Sequence, residues 1–134
     1  MTVTIDGGAG VTFPDGVQQT NGVTNTGGDP PYFAARAWAN IDGSGTVALR
    51  SSVNIASVTA PATGRYVVTF TEAMPDANYT IMATAGDTST AVNYYNARIY
   101  GTPTASSFTI PVLTQSGGNP IAVDVDYLHV VVFR

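Results

Sequence analysis

Three tyrosines near the middle of the chain are the side chains best suited to bind a ligand. Tyr94, Tyr95 and Tyr100 lie within residues 92–100, together with two asparagines and Arg98. Flat aromatic faces beside hydrogen-bonding groups are what a sugar-binding surface uses. If the segment is a strand, alternation places Tyr94 and Tyr100 on one face and Tyr95 on the other. The alternative is that two of the three belong to the hydrophobic core.

Few residues have the chemistry of a catalytic site. His129 is the only histidine, and its apolar neighbours favour a buried or interface residue over a general base. Neither Gly-x-Ser-x-Gly nor His-Glu-x-x-His occurs. The eight aspartates leave paired carboxylates for glycoside cleavage open, but the lone Glu72 lies in a predicted turn. We predict no catalytic residues, and a protein that is not an enzyme.

Metal and cofactor sites have little support in the sequence. Asp124 and Asp126 share one face of a predicted strand and could offer oxygens to Ca²⁺, although a solvated polar face explains them more simply. The chain has no cysteine, which excludes disulfides and thiolate metal sites. Gly8-x-Gly10 lacks the third glycine and the helix of a dinucleotide loop. We therefore predict no metal site and no cofactor, with bound Ca²⁺ left open.

Composition points to β-structure and excludes some classes of binding partner. Charged residues make up 10 % of the 134 residues, against roughly 25 % in soluble domains. Thr, Ser, Asn and Gly, which favour turns and strands, must supply solubility. The net charge of −4 and five scattered arginines argue against binding nucleic acid, which needs clustered cations. No signal peptide and no apolar run of about 20 residues is visible, so membrane insertion is not expected.

Short strand-like runs alternate with turn sequences at the spacing of a β-sandwich. In residues 65–71, Tyr66, Val68 and Phe70 share one face. Pro111 predicts an edge strand or a bulge, since proline lacks a ladder donor. No helical periodicity is present, so we predict an all-β fold, an antiparallel β-sandwich of jelly-roll type with an extended N-terminal arm. The predicted strands are residues 36–41, 46–50, 53–58, 65–71, 79–85, 92–100, 107–114 and 121–133.

A change in composition around residues 27–31 divides the chain. Residues 1–31 contain few large apolar side chains and are predicted to be an arm and linker, while residues 32–134 form the sandwich domain. The chain ends with residues 128–133 apolar at nearly every position, the pattern of a strand buried on both faces. Either this strand lies at the sandwich centre, or one face meets another subunit. We place Trp38 in the core or at a subunit interface.

Several stretches resemble the tail-fibre and appendage proteins of tailed bacteriophages. Residues 13–20, Phe-Pro-Asp-Gly followed by Val-Gln-Gln-Thr, resemble the element that joins shaft to tip in those proteins. Residues 35–47 resemble their Ala-x-Ala-Trp-Val-x-Phe-Asn/Asp-Gly-x-Gly-Thr-Val motif, and residues 64–79 resemble a second motif. The ending Val-Val-Val-Phe-Arg is similar to their Val-x-Val-x-Phe ending. Residues between Gly86 and Pro120 match none of these motifs.

The resemblance implies a homotrimer on the virion, made in the host cytoplasm and assembled with other virion proteins. It implies a tail fibre or spike tip that binds a glycan or protein receptor on the host surface. Alternatives are a capsid decoration or head-fibre protein and, more remotely, a glycan-degrading enzyme. Tyr95 is the expected principal contact, because binding residues are commonly carried by variable segments on a rigid scaffold. The predicted receptor residues are Tyr94, Tyr95, Tyr100 and Asn119. The predicted oligomerisation and attachment residues are Phe13, Pro14, Asp15, Gly16, Val130 and Val132.

Overall fold

The computed structural model divides the chain into two compact units, Met1–Ala34 and Ala35–Arg134. It describes residues 4–6, 10–12, 18–19, 34–89 and 93–134. The division falls close to the boundary predicted after residue 31. All regular elements among the described residues are β-strands. None of these residues belongs to a helix long and apolar enough to span a membrane.

The N-terminal unit contains three short strands that form an antiparallel sheet. Strands β1 (Thr4–Asp6), β2 (Gly10–Thr12) and β3 (Gln18–Gln19) pair in the order β1-β2-β3. β3 falls in the stretch that resembles the shaft-to-tip junction. The predicted attachment residues Phe13, Pro14, Asp15 and Gly16 lie outside the described residues, so their role stays a prediction.

The first sheet of the larger unit brings the two ends of that unit together. It has the order β5-β4-β12-β8, all antiparallel. Its strands are β4 (Ala35–Asp42), β5 (Ala48–Val53), β8 (Thr80–Gly86) and β12 (Tyr127–Phe133). β4 and β5 form a hairpin, as the predicted strands 36–41 and 46–50 on either side of Asp-Gly-Ser-Gly suggest. Its turn is held by the Asp42 carboxylate, which accepts hydrogen bonds from the backbone and side chain of Ser44. The last strand therefore lies inside a sheet, between β4 and β8.

The second sheet is built around the longest strand, β10. Antiparallel pairs link β6 to β7, β7 to β10, and β10 to both β9 and β11. The strands are β6 (Ile55–Ala62), β7 (Arg65–Phe70), β9 (Asn96–Ala97), β10 (Ser107–Ser116) and β11 (Asn119–Ala122). A two-residue turn joins β10 to β11, with Gly117 and Gly118 at φ 59° and 84°. Positive φ at both central residues is the requirement of a type I′ turn, one of the favoured two-residue hairpin connections, which explains the Gly-Gly pair.

The core lies between the two sheets and follows the two-residue period of the strands. On β7, Tyr66, Val68 and Phe70 are all buried, as the alternation predicted. The same period selects the inward residues of the neighbouring strands. The antiparallel β-sandwich predicted from the sequence is therefore confirmed. The other inward residues of β4, β10 and β12 are Ala37, Ala39, Ile41, Phe108, Ile110, Val112, Leu128, Val130 and Val132.

The predicted single strand over residues 121–133 is wrong, because the segment crosses from one sheet to the other. It forms β11 in the second sheet and β12 in the first, separated by residues 123–126. The crossing is fixed by side-chain and backbone hydrogen bonds: Asp124 accepts one from the Gly64 N–H at 2.7 Å, and the Val125 N–H donates one to the Tyr66 hydroxyl at 3.2 Å. The sequence patterns of β11 and β12 follow each other so closely that they predicted a single strand.

The hydroxyl of Tyr66 connects this crossing to the β4–β5 turn. It donates to the Gly43 carbonyl at 3.1 Å and accepts from the Val125 N–H. We call Gly43, Gly64, Tyr66, Asp124 and Val125 the Tyr66 junction. Burial, which disfavours the charged phenolate, raises the pKa of Tyr66 to about 12. The hydroxyl therefore stays protonated at ordinary pH and can donate its hydrogen bond.

Two positions in the Tyr66 junction require glycine. A Cβ on Gly43 would lie 2.5 Å from the Tyr66 hydroxyl oxygen and 2.7 Å from the Val125 carbonyl oxygen. Gly64 has φ +61°, and a Cβ there would lie 2.5 Å from the Val123 backbone nitrogen. Both glycines belong to the stretches that resemble phage appendage motifs, so these motifs encode a folding junction.

Candidate functional site

A cleft of about 390 Å³ lies on the second sheet, where β9, β10 and β11 approach one another. It combines an aromatic pair with polar side chains and one arginine, and none of its lining residues is a carboxylate. Such a lining offers apolar contact and hydrogen bonds at the same place. Its lining residues are Tyr94, Tyr95, Asn96, Arg98, Leu113, Thr114, Gln115 and Pro120.

The segment that carries the tyrosines is held along one side of β10. Asn96 and Ala97 pair with Leu113 and Val112, and the Arg98 N–H donates to the Pro111 carbonyl at 3.3 Å. Farther on, Tyr100 forms an isolated bridge with Thr109 of β10. The backbone of the cleft residues is thereby fixed to the longest strand of the domain.

The predicted continuous strand over residues 92–100 is wrong, since its described part contains only the two-residue strand β9. Pro111 supplies a physical reason. In a strand, the N–H and C=O of one residue point to the same neighbour, and the Pro111 carbonyl points to Arg98. Proline has no N–H to give on that side, so one hydrogen bond to Arg98 is missing from the ladder, which resumes only at the Tyr100–Thr109 bridge. The edge strand or bulge predicted from Pro111 is wrong, because β10 is hydrogen-bonded to β7, β9 and β11 and none of these pairs has a register shift.

Side-chain alternation along the segment agrees with the sequence, but the outward face is the opposite of the one expected. Tyr94 is 78 % exposed and Tyr100 is 51 % exposed. Tyr95 is half-buried and packs against the core. The exposed aromatic surface of the cleft is therefore the ring of Tyr94, and Tyr95 forms the cleft wall nearer the core.

Asp87 holds Tyr95 in place. Its carboxylate accepts hydrogen bonds from the Tyr95 hydroxyl, from the Asn93 side-chain amide at 2.9 Å and from the Ser89 N–H at 3.0 Å. The bond from Tyr95 contributes most to lowering the pKa of Asp87, and the same bond raises the pKa of Tyr95. The Tyr95 hydroxyl is thus committed to this internal bond, and its role is to support the cleft.

Arg98 stands apart from the other arginines of the chain. Arg50 forms an ion pair with Asp42 at 2.7 Å, and Arg134 forms one with Asp76. The guanidinium of Arg65 lies 4.6 Å from the ring centroid of Tyr100, and Arg36 also interacts with a neighbour. Among the described residues, the guanidinium of Arg98 has no hydrogen-bond or ion-pair partner. The exposed side chain that lines the cleft is therefore a cation available to a ligand.

Two of the four predicted receptor residues line the cleft and two do not. Tyr94 and Tyr95 do, while the Tyr100 ring contacts Arg65 outside it. Asn119 is exposed on the β10–β11 hairpin, next to the lining residue Pro120. The sequence placed Arg98 beside the tyrosines as a hydrogen-bonding group, but Arg98 was not among the four predicted receptor residues. The contributions of Leu113, Thr114 and Gln115 come from strand pairing, which no local pattern revealed.

The outer face of the first sheet carries a second unusual surface. Strand register aligns Val53, Trp38, Val131 and Met82 in one row across all four strands. Trp38 is 36 % exposed and Met82 is 63 % exposed. We call these four residues the outer apolar row. Trp38 therefore lies outside the core.

The sandwich core, not a partner, covers the two valines predicted for oligomerisation. Val130 and Val132 point inward and are almost fully buried. Their neighbour Val131, which points the other way, belongs to the outer apolar row. Any interface on this strand would use the outward residues, because strand neighbours face opposite sides of a sheet.

The remaining candidate groups do not form a reactive site. Asp124 binds Gly64, whereas Asp126 accepts bonds from the Thr88 N–H and hydroxyl, which lower the pKa of Asp126. His129 is exposed, so of the two predicted placements, buried or at a subunit interface, the buried one is wrong. Its ring lies parallel to that of Tyr127, with 6.2 Å between the ring centroids. Within the described residues, no group of three or more His, Asp or Glu side chains could hold a metal ion.

Comparisons of the chain with protein-family models, with curated proteins and with solved structures find no match. The interpretation of the cleft therefore depends on its own chemistry.

Proposed function

We propose that this chain is a non-enzymatic virion appendage protein, a tail fibre or spike tip, that attaches to the host cell surface by binding a glycan in the cleft. The observation that carries the proposal is that the exposed ring of Tyr94 and the unpaired guanidinium of Arg98 line the same cleft, on the longest strand of the domain. Resemblance in sequence supplies the virion context, and the cleft supplies the binding chemistry.

The cleft residues suit a sugar. The face of the Tyr94 ring offers apolar contact to the C–H groups of a pyranose. Around it, Asn96, Thr114 and Gln115 provide both donors and acceptors for hydroxyl groups. The volume of about 390 Å³ lies at the lower end of the range of roughly 300–1,000 Å³ for small-molecule sites. One or two sugar units of a longer chain would fit such a space.

The state of the carboxyl groups supports binding without cleavage. Glycoside hydrolysis needs a carboxylic acid with a raised pKa, close to a second carboxylate. The pKa values of Asp76, Asp87 and Asp126 are instead lowered, mainly by hydrogen bonds from Arg134, Tyr95 and Thr88 respectively. Hydrogen bonds from Ser44 likewise lower the pKa of Asp42. None of these carboxyl groups lines the cleft.

The distribution of motifs along the chain also favours receptor binding. The stretches that resemble phage appendage proteins include Gly43, Gly64 and Tyr66, which form the Tyr66 junction. The lining residues of the cleft all lie in the part of the chain, from Gly86 to Pro120, that matches none of those motifs. Binding residues carried by a segment that is held on a rigid scaffold are the arrangement that recognition proteins commonly use.

A glycan array tests the proposal. Wild-type protein should bind a subset of bacterial surface polysaccharides, and Tyr94→Ala should lose most of that signal. Tyr100→Ala is the matched control, since it also removes an exposed tyrosine but lies outside the cleft, and it should bind like wild type. Absence of glycan binding by the wild type, or equal losses in the two variants, would contradict the proposal.

We also propose that the protein assembles as a homotrimer through the outer apolar row. Solvent-exposed apolar side chains aligned over four strands are a typical protein-contact surface, and closed symmetry gives three copies the same contact. Sedimentation should give three times the 13.9 kDa chain mass. Met82→Asp should dissociate the trimer, whereas Thr84→Asp, two residues along the same exposed face, should have a smaller effect. A wild-type monomer at micromolar concentration would contradict the trimer.

A purely structural role, as a capsid decoration or head fibre, is the second candidate function. The outer apolar row favours it, because assembly alone would explain that surface. A stable trimer that incorporates into particles but binds no glycan would favour this role over host attachment.

A further inference from the structure

The charges around the cleft define the kind of sugar it can take. The chain has no lysine and five arginines. The guanidinium groups of Arg50, Arg65 and Arg134 are engaged within the protein, and Arg36 also interacts with a neighbour. Arg98 alone has no partner among the described residues, and it is the only charged residue that lines the cleft.

We propose that the cleft selects an acidic sugar, and that the carboxylate of that sugar pairs with Arg98. The inference rests on the proposed glycan binding and adds to it the class of ligand. A guanidinium presents two parallel N–H donors to the two oxygens of a carboxylate, and this geometry gives both strength and orientation. The ring of Tyr94 would stack on the same sugar and fix its distance from the arginine.

Charge balance favours a carboxylate over a phosphate monoester. One guanidinium neutralises one negative charge, and no second cation lines the cleft. A phosphate monoester carries a charge of roughly −1.5 to −2 at pH 7, so part of it would stay uncompensated in a protein of net charge −4. The nearby Asp87 does not compete for Arg98, since its oxygens accept hydrogen bonds from Tyr95, Asn93 and Ser89.

The experiment uses pairs of probes that differ only in the carboxylate. Oligosaccharides that contain galacturonic, glucuronic or sialic acid are each compared with their carboxyl-reduced counterparts by calorimetric titration. Wild-type protein should bind at least one acidic probe about tenfold or more tightly than its reduced counterpart, the effect of one charge-assisted hydrogen-bond pair. Arg98→Gln should abolish this difference, and Arg98→Lys should keep part of it, because lysine is a point charge without the planar fork.

Arg65→Gln is the matched control. It makes the same change in net charge, but Arg65 contacts Tyr100 outside the cleft, so the preference for acidic probes should persist. Equal binding of acidic and reduced probes by the wild type would overturn the inference and leave the proposed glycan binding intact. A preference that survives Arg98→Gln, or a stronger preference for phosphorylated sugars, would also overturn it. If the wild type binds no glycan of any class, the proposed function itself fails.

Discussion

Two tyrosines show how this small domain separates folding from recognition. Tyr66 is fully buried, and its hydroxyl joins the β4–β5 turn to the crossing between the sheets. Tyr94 exposes most of its ring in the cleft, and among the described residues its hydroxyl has no hydrogen-bond partner. Tyr66 thus links two segments of the fold, whereas Tyr94 presents its ring to solvent.

The difference follows from what surrounds each ring. Around Tyr66, two glycines leave room for the hydroxyl and for the crossing backbone, so the hydroxyl both donates and accepts a hydrogen bond within the chain. Around Tyr94, the polar side chains face solvent, and one cation is unpaired. A substitution in the Tyr66 junction should therefore cost stability, and one at the cleft should cost binding.

The largest effect is expected at Gly64. Gly64→Ala adds a Cβ that would lie 2.5 Å from the Val123 nitrogen, at a position with φ +61°. Strain and overlap together should lower the free energy of unfolding by roughly 3 kcal/mol. Gly45→Ala is the control, since φ is +58° there but no atom lies within 4 Å, and it should cost only about 1 kcal/mol. Equal losses in urea denaturation would show that the junction is not tightly packed.

Removal of one oxygen from Tyr66 should have the next largest effect. Tyr66→Phe leaves the Val125 N–H and the Gly43 carbonyl without their partner, which should cost roughly 2 kcal/mol of unfolding free energy. Tyr94→Phe makes the same chemical change at an exposed ring and should have no measurable effect. If the two variants have the same stability, the contrast between the two tyrosines is wrong.

Acid should lower the stability of the domain at the cleft, whereas pH changes near neutrality should not. The pKa of Asp87 is lowered below its ordinary value of 3.8, chiefly by the hydrogen bond from Tyr95. A carboxyl group with a lowered pKa stabilises the fold above its unfolded pKa, and this contribution is lost as pH falls through the folded pKa. Stability should therefore be constant from pH 7 to about 5 and fall below about pH 4.

The variant Asp87→Asn separates the cleft from other carboxyl groups that behave alike, such as Asp76 and Asp126. Below pH 4, Asp87→Asn should lose less stability than the wild type. The fluorescence of the tyrosines should change in the same pH range. Stability that rises on acidification, or a pH profile unchanged in Asp87→Asn, would contradict the role assigned to this carboxylate.

The smallest effect on stability is expected at Tyr94. Because its ring is 78 % exposed, Tyr94→Ala should change the free energy of unfolding by no more than about 0.5 kcal/mol. Tyr95→Ala should destabilise the domain more, since that ring packs against the core and its hydroxyl binds Asp87. Both stabilities are measured by thermal or urea denaturation. If Tyr94→Ala is the more destabilised variant, Tyr95 is the exposed contact that the sequence favoured.

Alternation and turn chemistry made much of the fold predictable. The inward face of Tyr66, Val68 and Phe70, the β4–β5 hairpin and the all-β class follow from local rules that the structure confirms. The crossing at residues 123–126 was missed because the alternation of Ile121, Val123, Val125 and Tyr127 runs without a break from β11 into β12. Only long-range hydrogen bonds to Gly64 and Tyr66 separate them, and no local pattern reports such bonds.

The cleft was only partly predictable for the same reason. The tyrosines and Arg98 are close in sequence, so composition pointed to them. Which face they present depends on the pairing of Asn96 with Leu113 and on the hydrogen bond from Tyr95 to Asp87, and no local pattern reports either contact. The opposite wall comes from β10 and is visible only once the strands are paired.

Chemical-shift mapping tests the central claim most directly. ¹⁵N-labelled protein is titrated with the oligosaccharide that binds best on the array. The backbone amides with perturbed chemical shifts should cluster at residues 94–98 and 113–115. The chemical shifts of the outer apolar row and of the Tyr66 junction should stay unchanged. Shifts centred on Trp38 and Met82, or no saturable shifts with any glycan, would contradict binding in the cleft.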